Sequence, residues 1–297
     1  MKKSFLTGWM TLAVLAPLHA SAQSAIVAFG DSLSDNGNNG VSTSGPNTQP
    51  ASQIYGVWVK QLATALGLPL TASDDGGTNY ARGGALTSGM TTQVNSYLNK
   101  APQITSTTLF TLWGGANDIS RKVEENPLNS TAIKAAAAQA ASNVEAQIRK
   151  LVAAGAKKIV WVNLPPLEKT PKARIIPGGL GTYVFAPPVT HFNSLWVQAL
   201  KRLRTDHPTV TFYGVDAHKH LNLIIASPST YGLTNVKDSC EGKSVNPDKY
   251  LFWDLAHPTS YGHSIFADLV YDLVSDIPGF GAPFPVDPSV MAPESTL

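Results

Sequence analysis

Ser32 lies in AIVAFGDSLSDNGNNG, Ala25 to Gly40, where an apolar run breaks into Asp, Ser, Asn and Gly and leaves the serine between Asp31 and Asp35. A serine hydroxyl is a poor nucleophile until a base takes its proton. Among seven histidines, one of them His19, the best placed base is His257 in FWDLAHPTSYGHS. Asp254 precedes it by three residues and Pro258 follows it. A carboxylate so close can hold the imidazole in one tautomer and stabilise the imidazolium. The plainer reading of this pair is a local hydrogen bond that caps a helix, and His263, inside the helix that follows, reads as structural. Acyl transfer also requires donors aimed at a developing oxyanion. GGTNYARGGALTSG offers Gly83 and Gly84, where the lack of Cβ lets backbone approach a ligand, and LWGGANDIS offers the neutral amide of Asn117. Taken singly, each is an ordinary turn or cap; taken together they describe a serine hydrolase site. Spacing does not choose between Gly83 and Gly84.

These residues must be positioned by the elements around them. Ala25 to Phe29, Thr108 to Gly115, Lys157 to Pro166 and, more weakly, Thr209 to Asp216 are short apolar runs bounded by turn residues, which read as buried strands. A further strand is expected just before GGTNYARGG. Helical stretches lie between them: GVWVKQLATALG, STAIKAAAAQAASNVEAQIRKLVAAG from Ser130 to Gly155, THFNSLWVQALKRLR and PTSYGHSIFADLVYDLV. Alternating strands and helices with fully apolar strands predict one α/β domain of three layers, α/β/α, around a mostly parallel sheet. In such sheets ligands bind beyond the carboxyl ends of the strands, where Ser32, the glycine loop, Asn117 and the Asp254–His257 turn all fall.

Composition narrows the partners. Residues 1–22 carry two lysines, an apolar run from Phe5 to Leu18 and an A-x-A pattern at Ala20 and Ala22, and are expected to be a secretory signal peptide. That expectation places the protein in the periplasm or outside the cell. The chain holds 22 Lys and Arg against 20 Asp and Glu, so loss of Lys2 and Lys3 leaves it close to neutral. No basic stripe with interleaved aromatics occurs, so nucleic acid is not expected as a partner. The single cysteine, Cys240 in the polar run NVKDSCEGKS, rules out an internal disulfide framework and reads as an inert loop thiol. Residues 23–277 are read as the catalytic domain and the Pro-rich residues 278–297 as a tail. No G-x-S-x-G pentad, Walker pattern or Rossmann glycine pattern is present. His218 and His220 in DAHKHLN lack companion ligands and read as exposed residues after a strand. Neither a cofactor nor a metal is expected. SDNGNNG lacks the alternating acidic ligands of a calcium loop and reads as a flexible active-site loop.

FGDSLSD, NYARGGA, LWGGANDI and FWDLAHPT resemble, in order and separation, the four blocks of the GDSL or SGNH family of serine esterases and lipases. LWGGANDI, IVWVNLPPLEKTPKAR, YGLTNV and FWDLAHPT are more closely similar to the bacterial branch of lecithinases, haemolysins and glycerophospholipid–cholesterol acyltransferase. The resemblance implies a flavodoxin-like fold and a carboxylic ester hydrolase. Ser32 would be the nucleophile and first oxyanion amide, Gly84 the second amide, Asn117 the side-chain donor, His257 the base and Asp254 its partner. Two stretches depart from the branch pattern: ASQIYG where GRFSNG is usual, and NLPPLEKTP where Asp and Gly are commoner after NLP. An ester or lipid substrate is expected, with transient contact to a membrane or lipid aggregate, by a monomer. An acyltransferase using an alcohol or sterol acceptor is the alternative within enzymes; a secreted lipid- or glycan-binding protein is the alternative outside them.

Overall fold

The computed structural model describes residues 23–39 and 56–275. The expected signal peptide, the Pro-rich tail and residues 51–55 of the divergent ASQIYG stretch lie outside them.

The apolar runs form four parallel strands, β1 (Ala25–Gly30), β2 (Thr108–Trp113), β3 (Lys158–Val162) and β4 (Thr211–Val215), in the order β1-β2-β3-β4. Alternation assigns their faces. Val27, Phe29, Phe110, Leu112, Ile159 and Trp161 pack into one apolar layer, and Ile26, Ala28, Leu109, Val160 and Val162 into the other. The first layer is covered by α2 (Thr87–Leu98), α3 (Ala116–Glu125), α4 (Ser130–Ala153) and α6 (Gly181–Asp206); the second by α1 (Trp58–Ala65) and α8 (Ser260–Val274). The result is the expected single α/β/α domain with both faces of the sheet buried.

The expected strand before NYARGG is reduced to isolated bridges, Asn79 pairing with Ala28 and with Ala72. The Gly76–Gly77 pair turns the chain sharply there, with Gly77 N–H bonded back to Ala72 at 2.9 Å, so too few residues stay extended for a strand. The segment still runs along β1: Tyr80 N–H donates to Ala28 O at 2.7 Å and Arg82 N–H to Gly30 O at 3.1 Å.

Helix α6 begins nine residues before the THFNSL stretch because Pro187 and Pro188, which interrupt a helical pattern, lie inside it. Helix α2 and α3, read only as the loops that carry the glycines and Asn117, are helices in their own right. So are the short α5 (Pro171–Arg174) and α7 (Ala217–Ala226), the latter starting at the DAHKHLN stretch. A separate pair, β5 (Asn235–Ser239) with β6 (Tyr250–Phe252), is parallel and packs with α7 in a third, smaller apolar cluster. Cys240, at the end of β5, is buried rather than in an open loop, and burial pushes its thiol up to about 11. A protonated, enclosed thiol is inert, as its reading required.

Candidate active site

Strand β1 ends at Gly30, and the chain then makes one tight turn. Asp31 O accepts from the amides of Ser34 and Asp35, both at 3.0 Å, and Asp31 Oδ1 accepts from Leu33 N–H at 3.1 Å. That turn carries Ser32. Gly30 is required at its root: with φ +153, a Cβ there would lie 2.3 Å from Trp113 O of the neighbouring strand. Asp31 is 2% exposed. Burial pushes its carboxyl up to about 6, against the lowering pull of the Leu33 amide and the His257 ring.

The base comes from the opposite end of the chain. Asp254 Oδ1 accepts from the amides of Ala256 and His257, both at 2.7 Å, which closes a tight Asx turn. Trp253 N–H bonds to His257 O at 2.8 Å, and Thr259 caps α8 by accepting from Gly262 N–H at 3.0 Å. Within this frame His257 Nδ1 lies 2.6 Å from Asp254 Oδ2 and His257 Nε2 lies 2.7 Å from Ser32 Oγ. A carboxylate only accepts, so Nδ1 carries the imidazole proton and Nε2 is left to accept from the serine hydroxyl. Burial works to raise the Asp254 pKa, but the hydrogen bond and charge of His257, with the two turn amides, hold it below the usual carboxylate value.

Gly83 and Gly84 are separated by their hydrogen bonding. Gly83 N–H donates to Asp35 Oδ2 at 2.8 Å. Gly84, at φ +74, takes the left-handed conformation that glycine favours. Asn117 stands at the start of α3 beside β2, and one N–H of its amide donates to Ala85 O at 3.0 Å, next to Gly84. Its second N–H is geometrically independent of that bond. Asp118 anchors the same corner, accepting from Thr87 N–H at 3.0 Å and Thr87 Oγ1 at 2.8 Å.

The SDNGNNG stretch is bonded in place as far as Asn39 rather than flexible. Asp35 Oδ1 accepts from Gly37 and Asn38 amides at 2.9 and 2.8 Å, and Asn38 Nδ2 reaches Asn79 O and Ala81 O at 2.7 and 2.8 Å. Asn39 Nδ2 donates to Gly83 O at 2.8 Å. Short amide side chains thus staple the serine loop to the glycine loop, which explains the density of Asn and Asp there. Gln93, which nothing in the sequence singled out, completes the frame from α2. Its side chain accepts from Gly30 N–H at 2.9 Å and donates to Gly30 O at 2.8 Å.

Ser32, Asn117 and His257 open into a cavity of about 120 Å³. Its wall is mainly apolar: Trp113, Leu167, Phe185, Ile224, Leu251 and Phe266 all contribute. His220 and His263 also line it. His220 is therefore a wall residue rather than an exposed one, because α7 turns it inward; burial holds it down at about 4. His263 is 1% exposed and is held down at about 3 by burial and then by the nearby His257. His218, half-buried, bonds to Asn222 on its own helix.

The model of the GDSL-like lipase/acylhydrolase family matches residues 26–270. Among curated relatives, Lipase 1 of Photorhabdus luminescens is 35% identical over 58% of this chain and 27% of its own length. Thermolabile hemolysin of Vibrio parahaemolyticus is 28% identical over 82% of this chain and 62% of its own, and phosphatidylcholine-sterol acyltransferase of Aeromonas hydrophila 28% identical over 82% and 74%. The chain thus spans about a quarter and under two thirds of the first two of these relatives. A solved structure of a catalytic mutant of an acetylxylan esterase from Geobacillus stearothermophilus shares the fold, at a TM-score of 0.50 and 14% identity over 84% of this chain and 93% of that one. With the matched residues running from β1 through most of α8, this chain belongs to the GDSL-like lipase/acylhydrolase family.

Proposed function

We propose that the protein is an exported serine hydrolase that cleaves carboxylic ester bonds, of lipids or of short to medium acyl esters, through an acyl-enzyme on Ser32. The observation that carries this reading is the unbroken relay of 2.7 and 2.6 Å from Ser32 Oγ through His257 to Asp254, opening into an apolar cavity. Ser32 Oγ attacks the ester carbonyl as its proton passes to His257 Nε2. The oxyanion is held by the amides of Ser32 and Gly84 and by the Asn117 side chain. Gly84 rather than Gly83 is the donor in this reading, since the Gly83 amide is already bonded to Asp35. His257 returns its proton to the leaving alkoxide, which departs as the alcohol. Water then gives a proton to the same nitrogen and attacks the acyl-enzyme, and His257 passes that proton to Ser32 Oγ as the acid departs. No cofactor or metal has a part in these steps.

Hydrolysis of p-nitrophenyl esters from acetate to palmitate, by the wild type and by Ser32→Ala in parallel, tests the reading. Activity lost in the variant supports it; equal activity in the two rejects it. Binding of a lipid or glycan without turnover would favour a binding protein instead. The similarity to a phosphatidylcholine-sterol acyltransferase supports a second reading, in which an alcohol replaces water in the second step. Product analysis with and without an added alcohol separates the two. Export, the monomeric state and transient contact with lipid aggregates belong to the same proposal.

A further inference from the structure

Among the described residues, several large apolar side chains stay exposed, and four of them gather on one face. Tyr183 is 76% exposed, Ile175 63%, Leu255 44% and Leu180 38%. The backbone draws them together. Lys172 N–H donates to Leu255 O at 2.8 Å, which ties α5 to the Asp254–His257 turn. Ile175 follows Lys172 by three residues and continues the same helical turn. Gly181, the first residue of α6, sits so close on α5 that a Cβ there would lie 2.0 Å from Ala173 O. Leu180 and Tyr183 flank that glycine. A single exposed apolar side chain is ordinary, whereas a contiguous set marks a contact surface.

The set borders the mouth of the catalytic cavity. Lys172, Phe185 and Ala256 line that cavity, Ala256 is exposed, and the Lys172 side chain is 34% exposed. The cavity therefore reaches solvent between α5 and the histidine turn. Leu255 adjoins Ala256, and Phe185 lies two residues beyond Tyr183. No charged residue occurs from Ile175 to Thr190. Cations stand at the edge: Lys169 and Arg174 are exposed, Lys172 pairs with Glu124 of α3, and Glu168 between them is half-buried. Apolar side chains bordered by Lys and Arg suit a surface that lies on lipid head groups and dips its apolar part into the acyl boundary. Position decides the occupant. A protein seated on this face would close the route to Ser32, whereas an aggregate of the substrate itself would feed the cavity.

We propose that this face docks the enzyme on an aggregated phospholipid surface, and that esters held in such a surface are hydrolysed from the docked state while dissolved esters do not need it. The inference rests on the ester-hydrolase reading given above and adds to it the residues that meet the lipid.

The test measures co-sedimentation with vesicles of equal parts phosphatidylcholine and phosphatidylglycerol, for Ser32→Ala and for Ser32→Ala carrying Ile175→Ser and Tyr183→Ser. Without turnover, docking is read whether or not any ester is cleaved. The added pair of substitutions is expected to weaken vesicle binding at least about tenfold, through the lost burial of two apolar side chains. With Ser32 in place, the same pair should leave hydrolysis of dissolved p-nitrophenyl butyrate unchanged and lower that of p-nitrophenyl palmitate carried in the vesicles. Weakened vesicle binding with an unchanged thermal unfolding midpoint supports the docking face. Equal binding by the two proteins, or none by Ser32→Ala, overturns it, while cleavage of the dissolved ester keeps the hydrolase reading intact. A clearly lowered midpoint also overturns it, because the face is then covered by this chain itself. So does a wild-type dimer that the pair splits into monomers, which assigns the face to a second copy. Failure of the wild type to cleave any ester defeats the hydrolase reading, and sedimentation still decides the docking.

Discussion

At the scale of single residues, the proposed mechanism divides the site into groups that move a proton and groups that wait for charge. Asp254 belongs to the first. Its carboxylate holds Nδ1 protonated at 2.6 Å while its other oxygen closes the turn that carries the ring. Asp254→Asn keeps the turn acceptor but supports the wrong tautomer, so kcat should fall by about 10³–10⁴ with little change in KM; steady-state kinetics at several pH values check this. Asn117 belongs to the second. Removing one oxyanion donor costs about 10²–10³ in kcat, so Asn117→Ala should lose that much and keep its thermal unfolding midpoint close to wild type. Full activity in that variant would take Asn117 out of the oxyanion site. Ser32, Asn117, Asp254 and His257 were legible in the sequence as candidates because their residue types are uncommon in combination. The choice between Gly83 and Gly84 was not, since it depends on the Asp35 carboxylate reaching across from another loop.

At the scale of elements, the serine turn is held by a clamp that crosses three segments. Gly30 N–H has Gln93 Oε1 as its acceptor, and Gly30 O receives both Gln93 Nε2 and Arg82 N–H. The nucleophile turn, α2 and the glycine loop therefore meet at one residue, Gly30. Gln93→Leu would leave a buried amide unpaired, a cost of about 1–3 kcal/mol, and should lower kcat more than it raises KM because the serine and the Gly84 amide lose their common reference. Gln93→Glu separates positioning from bulk stability. Its protonated form keeps both bonds, whereas its carboxylate faces Gly30 O, so kcat should recover towards wild type as pH is lowered. A uniform loss at every pH would assign Gln93 to folding alone. None of this was readable beforehand, because a glutamine in a helix carries no mark of a partner 63 residues away.

At the scale of the whole molecule, burial sets opposing proton linkages. His220 and His263 are held at about 4 and about 3 against an ordinary 6.5. The unfolded chain takes up their protons first, so the stability they contribute is complete above about pH 6.5 and is lost as pH falls below it. Asp31, raised from 3.8 to about 6, acts in the other direction. The folded chain binds its proton first, and that contribution is present below about pH 3.8 and lost as pH rises through 6. Denaturant unfolding between pH 8 and 4.5 should show stability declining with acid. Asp31→Asn should raise stability at pH 7 and steepen that decline, and His220→Phe should flatten it. A slope unchanged by both variants would remove these groups as its source.

What the sequence by itself determined is the class of chemistry and the frame: four apolar runs as parallel strands, helices on both faces, and a serine, a glycine loop, an asparagine and an Asp–His turn at the carboxyl edge. Those features are local, written in period, in turn residues and in short motifs. The tertiary structure decided which glycine amide is already bonded, that the SDNGNNG loop is stapled, that His220 faces the cavity, and that Gln93 clamps Gly30. Each of these depends on hydrogen bonding or burial between residues distant in the chain. No local pattern encodes such a partner, because it exists only once the layers have packed and excluded the water that would otherwise have taken its place.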